Sequence, residues 1–143
     1  VYYSINNELG ANVPKPNLEE VRSQIFALTD CIDGGMVLSC HDIADGGIAS
    51  ALSEMTFCKG IGCNVTVESH LSSNKILFSE TGGFITEVAS KNVDALRLIF
   101  KNHGLDIIQI GKTGGDLIII NDTINLPVNE ARKAWENGLR EKL

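Results

Sequence analysis

The sequence predicts an α+β domain, with a mixed sheet of the split βαβ, ferredoxin-like type and helices on both faces. Three observations lead there. Short apolar runs alternate with longer segments of helical period. Without the first and last helices, the order is strand, helix, strand, strand, helix, strand. The chain's 143 residues suffice for a single sizeable core.

Residues 1–16 are punctuated by Asn6-Asn7, Gly10, Pro14 and Pro16, and read as an irregular connector or arm from a preceding domain. The domain proper is 17–143. Asn17 caps a helix, Glu19 and Glu20 suit its positive end, and Leu18, Val21, Ile25, Leu28 and Ile32 form its apolar stripe. Gly34-Gly35 stop it. Met36 to Cys40 is a buried strand, and a polar turn over 41–45 leads into a helix from Gly46 to Cys58. Cys63 to Val67 alternates as a strand. Ile76 to Ser79, a turn, and Phe84 to Ala89 give one or two more strands. Ser90 caps a helix whose inner face is Val93, Leu96, Phe100 and His103, closed by Gly104. Asp106 to Ile110 and Leu117 to Ile120 are strands flanking a hairpin loop, Gly111 to Gly115. The last helix buries Val128, Ala131, Trp135 and Leu139.

A net charge of −6, with no basic stripe, excludes a nucleic-acid face. No apolar run approaches the about 20 residues that cross a bilayer, and Val1-Tyr2-Tyr3-Ser4 is not a secretory leader. Without an initiator methionine, the chain is expected to begin inside a longer, cytoplasmic polypeptide. Cys31, Cys40, Cys58 and Cys63 form no CxxC pair. Joining Cys58 and Cys63 to His41 or His70 matches no zinc spacing, so reduced thiols acting as small buried hydrophobes are expected and no metal site is assigned.

Two segments carry polar groups on glycine-rich bends. The first is His41-Asp42-Ile43-Ala44-Asp45-Gly46-Gly47-Ile48, between a strand and a helix. Glycine costs about 1 kcal/mol against alanine inside a helix, so Gly46 and Gly47 imply something a side chain would block. One reading is a ligand, such as a phosphate, approaching the helix N-terminus; the other is tight packing, with Asp45 a plain cap. His41 and Asp42 serve as ligand hydrogen-bonders or an acid/base pair in the first reading, and as strand-end polar groups in the second. The second segment is Leu77-Phe78-Ser79-Glu80-Thr81-Gly82-Gly83-Phe84. Glu80 and Thr81 either grip a ribose, metal or amide, or bond their own turn. Lys112 lacks the GxxxxGK[ST] spacing of a phosphate loop. No catalytic residue is assigned.

Ser39 to Ala49, Ala51-Leu52-Ser53-Glu54-Met55, and Leu77 to Thr81 together resemble the C-terminal domain of the aminoimidazole ribonucleotide synthetase superfamily. Within it, HD-hydrophobic-A-DGG, Glu-Met and LFSET are closest to formylglycinamidine ribonucleotide synthetase. The resemblance spans about residues 17–143. It implies part of an ATP- and magnesium-dependent ligase that joins glutamine-derived ammonia to formylglycinamide ribonucleotide, with a glutaminase partner. The nucleotide, metal and catalytic histidine would belong mainly to a preceding domain, leaving this domain inactive alone and without a cofactor of its own. The family carries two copies of the domain, one holding substrate near the turn matching Glu80-Thr81, the other flanking a structural nucleotide. Gly82 stands where the substrate-holding copy has glutamine, and the usual arginine before the next strand is absent. Both departures point to the second copy. The alternatives are another ATP-using member of the superfamily, or a free-standing ferredoxin-like module that binds a small molecule.

Overall fold

The computed structural model describes residues 1–10 and 15–138, so Pro14 and Leu139 lie outside the described residues. Helices α1 (Tyr2–Ile5), α2 (Leu18–Asp33), α3 (Gly47–Phe57), α4 (Ser73–Phe78), α5 (Val93–Asn102) and α6 (Val128–Asn137) are interspersed with six strands. These are β1 (Val37–Asp42), β2 (Cys63–Val65), β3 (Phe84–Val88), β4 (Gly111–Thr113), β5 (Leu117–Ile120) and β6 (Ile124–Pro127). The fold is mixed α+β, but the single expected sheet is divided. β1 pairs antiparallel with β3, and a separate sheet runs β4-β2-β5-β6, with β2 and β5 parallel.

One core serves both sheets. Leu52 of α3, Val65 of β2, Leu77 of α4, Ile85 of β3, Ile118 and Ile120 of β5 and Val128 of α6 pack together there. Each side chain of this size contributes about 1.5–3 kcal/mol when fully buried. Elsewhere α2 packs on α5, burying Ala27, Leu28 and Cys31 of one and Leu96 of the other. His103 just beyond α5 reinforces this pair, its Nε2 lying 2.9 Å from Asp30 Oδ2 on α2.

Local chemistry explains the elements that match expectation. Asn17 Oδ1 accepts from the backbone N–H groups of Glu19 and Glu20, fixing the start of α2 where the sequence placed it. Gly104, at φ +75°, ends α5 as expected.

Other expectations are corrected. Residues 2–5 form a helical turn rather than irregular chain, and the Tyr2 ring stacks on Phe78 at 4.7 Å. The α2 stripe is only partly as expected: Leu28 is buried, Leu18, Ile25 and Ile32 are exposed, and the smaller Ala27 and Cys31 are buried as well. β1 runs on through His41 and Asp42, which the sequence assigned to a turn, because both pair with β3. Residues 76–78 belong to α4, not a strand. Ser90 begins a 3₁₀ turn and does not cap α5. The apolar stretch 106–110 is unpaired apart from Ile110, whose carbonyl accepts from Thr66 N–H.

Gly111–Gly115 is no hairpin, since β2 lies between β4 and β5. A Cβ on Gly111 would overlap the Asn64 carbonyl of β2, so glycine here permits close strand approach. β6 was not foreseen. It follows a turn at Asn121, whose φ is +49° and whose amide side chain bonds both backbone groups of Val67. Trp135 is 62% exposed rather than in the core. The four cysteines are unpaired, but only Cys31 and Cys63 are buried; Cys40 and Cys58 are exposed.

Candidate functional site

The two glycine-rich segments meet because β1 and β3 are antiparallel partners. Asp42 at the end of β1 faces Phe84 at the start of β3, and His41 faces Ile85. The loop leaving β1 and the turn entering β3 therefore share one end of this two-stranded sheet. Ile43 N–H donates to Gly83 O at 2.9 Å, extending the contact past the ladder.

Glu80 completes the junction. Its Oε1 accepts the backbone N–H of Gly46 at 3.0 Å. The Gly46 N–H holds the Glu80 carboxyl below its usual range. A carboxylate thus already sits at the positive end of α3, supplied by the chain 34 residues away. The sequence reading gave that place to Asp45. Asp45 is exposed, and α3 has no side-chain cap on its own N-cap residue, Gly46.

The glycines differ in what they permit. Gly46 and Gly47 are buried, at φ +79° and +66°, where other residues are strained. A Cβ on Gly47 would lie 2.6 Å from Leu77 O and 2.8 Å from Phe78 Cα, so α3 sits against the backbone of α4. A Cβ on Gly46 would meet the Ser50 side chain, both its rotatable Oγ and, at 2.9 Å, its fixed Cβ. Tight packing accounts for Gly47. The rim above it is acidic and open: Asp42, Ala44, Asp45 and Thr81 are exposed.

His41 points away from this rim. Its Nδ1–H donates to the Asp42 carbonyl at 2.7 Å, and its Nε2 faces Glu54 Oε2 on α3 at 3.3 Å. Because Nδ1 must carry a proton to bond a carbonyl, a neutral ring would aim its Nε2 lone pair at a carboxylate. The imidazolium removes that conflict. The hydrogen bond to Asp42, followed by the Glu54 carboxylate, raises the His41 pKa above its ordinary value, against an opposing effect of burial. His41 and Glu54 line a shallow depression of about 300 Å³ with Phe57, Cys58, Arg132 and Trp135. Of the seven residues singled out from sequence, Gly46, Gly47 and Glu80 form the junction, Asp42, Asp45 and Thr81 its rim, and His41 a separate contact. Glu54 enters the sequence reading only within the Glu-Met motif, with no partner assigned; being the only charge in α3 is its available signal.

Residues 3–120 match the family described as AIR synthase related protein, C-terminal domain. The chain belongs to this family. Among curated relatives of this AIR synthase related domain, phosphoribosylformylglycinamidine synthase subunit PurL of Thermoplasma volcanium is 38% identical across 96% of the chain. The chain spans about a fifth of that relative's length, 19%. Solved structures of T. maritima PurL share the fold. The complex with FGAR has a TM-score of 0.67 at 20% identity, covering 83% of this chain and 21% of that one. The complex with ATP has 0.64 at 19% identity, covering 76% and 21%.

Proposed function

We propose that this chain is a C-terminal domain of an ATP-dependent carbon–nitrogen ligase of purine biosynthesis. The enzyme converts formylglycinamide ribonucleotide, with glutamine-derived ammonia, to formylglycinamidine ribonucleotide. The observation that carries the reading is the family match, joined to the meeting of the family's two motif segments at the Gly46–Glu80 junction. That a relative sharing 38% identity is named as this synthase supports it.

The geometry favours an accessory part for the domain. Among the described residues, no three His, Cys, Asp or Glu side chains converge on a point where a cation would sit. A phosphate at α3 meets the exposed carboxylates of Asp42 and Asp45, and finds the Gly46 N–H already taken by Glu80. Neither group suits magnesium triphosphate on this chain alone. In this reading ATP and magnesium belong to a preceding domain of the same polypeptide, and a glutaminase supplies the ammonia. The domain by itself turns nothing over, and works in the cytoplasm as part of the longer enzyme.

Titration calorimetry of the isolated chain with ATP and with formylglycinamide ribonucleotide tests this. No heat of binding is expected from either. Tight stoichiometric binding of either one points instead to a free-standing small-molecule module.

A further inference from the structure

Residues 1–8 wind into a self-bonded turn. Ile5 N–H donates to Val1 O at 3.1 Å, and Glu8 N–H returns to Tyr3 O at 2.8 Å. The Asn6 side-chain amide donates to Tyr2 O at 2.9 Å, and Asn7 takes a φ of +55°, which asparagine tolerates. The four helical residues of α1 fall well short of the about 12–15 at which an isolated helix becomes marginally stable in water. A contact outside the turn must hold it. α1 buries no residue, and within 1–10 only Tyr2 and Tyr3 are half-buried.

The holding contact is aromatic. The Tyr2 ring lies within 8° of parallel to Phe78, with centroids 4.7 Å apart, and Tyr3 packs edge-on against Tyr2 at 5.8 Å. Both tyrosines of the chain are committed to this cluster. Phe78 is the last residue of α4, which at six residues is itself too short to stand without packing. Leu77 anchors α4 in the core at 1% exposure, and the backbone of Leu77 and Phe78 presses on Gly47 so closely that a Cβ there would overlap it. Two residues beyond Phe78, Glu80 accepts the Gly46 N–H. Phe78 therefore meets α1 through its ring and the mouth of α3 through its backbone.

We propose that α1 is a strap, whose Tyr2–Phe78 stack positions the end of α4 and with it the Gly46–Glu80 junction of the candidate site. Displacing residues 1–8 frees the Phe78 ring, loosens the turn over 79–83 and opens the bond from Gly46 to Glu80, while the core strands stay intact. Movement of this segment is thereby transmitted to the rim of the site. Tyr2 and Phe78 are positioning residues, and this role holds independently of the ligase reading.

Amide hydrogen exchange followed by NMR tests this, on the whole chain with an acetylated N-terminus so that no terminal charge acts on Glu80. Ile118 and Ile120 serve as the reference, because β5 is paired on both sides. An aromatic stack is worth a factor of about two to ten in an equilibrium constant. Tyr2→Ala is expected to speed Gly46 exchange by that factor and to leave the two reference amides unchanged. Tyr2→Phe keeps the ring and should keep the wild-type rate. Phe78→Leu removes the stack from the other side and should speed Gly46 as well, and in that background Tyr2→Ala should add nothing. Unchanged Gly46 exchange in Tyr2→Ala overturns the proposal. So does equal acceleration at Gly46 and in β5, which marks a general loss of stability. Full additivity of the Tyr2 and Phe78 substitutions overturns it too, since they would then act by separate routes. If Phe78→Leu does not fold, the contrast between Tyr2→Ala and Tyr2→Phe decides alone.

Discussion

Gly46 donates its backbone N–H to Glu80 Oε1 at 3.0 Å, and this bond ties the mouth of α3 to the turn before β3. Glu80 acts as a cap lent from a distant part of the chain. Replacing Glu80 with alanine is expected to cost about 1 kcal/mol, the usual loss for a helix N-terminal cap, measured by urea denaturation. Glu80→Gln retains an acceptor oxygen and should recover most of the loss at pH 7. The carboxyl is held below its ordinary value of 4.5. Its contribution is therefore complete above that value and lost as pH falls through the lower folded one. The wild-type protein should lose more stability than Glu80→Gln as pH drops below 4.5.

Gly47→Ala and Gly46→Ala are expected to differ sharply. Both incur left-handed strain of about 1–2 kcal/mol. Only Gly47→Ala also drives a Cβ into the α4 backbone, 2.6 Å from Leu77 O. Its total should reach about 3 kcal/mol or more and exceed that of Gly46→Ala, whose Cβ meets the Ser50 side chain instead of backbone. Equal midpoint shifts in thermal unfolding would contradict the packing described here.

The hydrogen bond of His41 to the Asp42 carbonyl, joined by the Glu54 carboxylate, predicts a raised histidine pKa that falls part-way in Glu54→Gln, observable by NMR titration of the ring. Because the folded value lies above 6.5, the stabilisation is complete below that pH and lost as pH rises through the folded value. Denaturation midpoints measured across neutral pH should decline in the wild type and decline less in Glu54→Gln.

Trp135, the single tryptophan, should emit as a solvent-exposed indole and be quenched readily by iodide. Trp135→Ala should cost less than about 1 kcal/mol, well below the 3–5 lost on truncating a buried aromatic. A blue-shifted, protected emission would restore the residue to the core.

The match between sequence and structure is best where a few neighbouring residues decide the outcome. Asn17 capping α2 and Gly104 closing α5 are local events, legible without knowing what lies across the fold. Misreadings cluster where partners are remote. Residues 76–78 have a strand's apolarity yet wind as α4, because Leu77 reaches the core from a helix as well as from a strand. The run 106–110 is richer in β-branched residues than β4, but lacks ladder partners. The contacts of Glu54 and Glu87 are not legible in the sequence because their partners, His41, Ser39 and Thr113, are distant along the chain.

By itself, the sequence determined the α+β class, the family, and the two glycine-rich bends on which the candidate site is built. Those follow from periodicity, backbone permissiveness and motif identity, which belong to short stretches of chain. Tertiary structure alone decided that Glu80 rather than Asp45 caps α3, that His41 turns toward Glu54, and that the strands divide into two sheets. Each depends on which groups meet in space after the chain has folded, and carboxylates or strand edges of similar chemistry are interchangeable until geometry selects one.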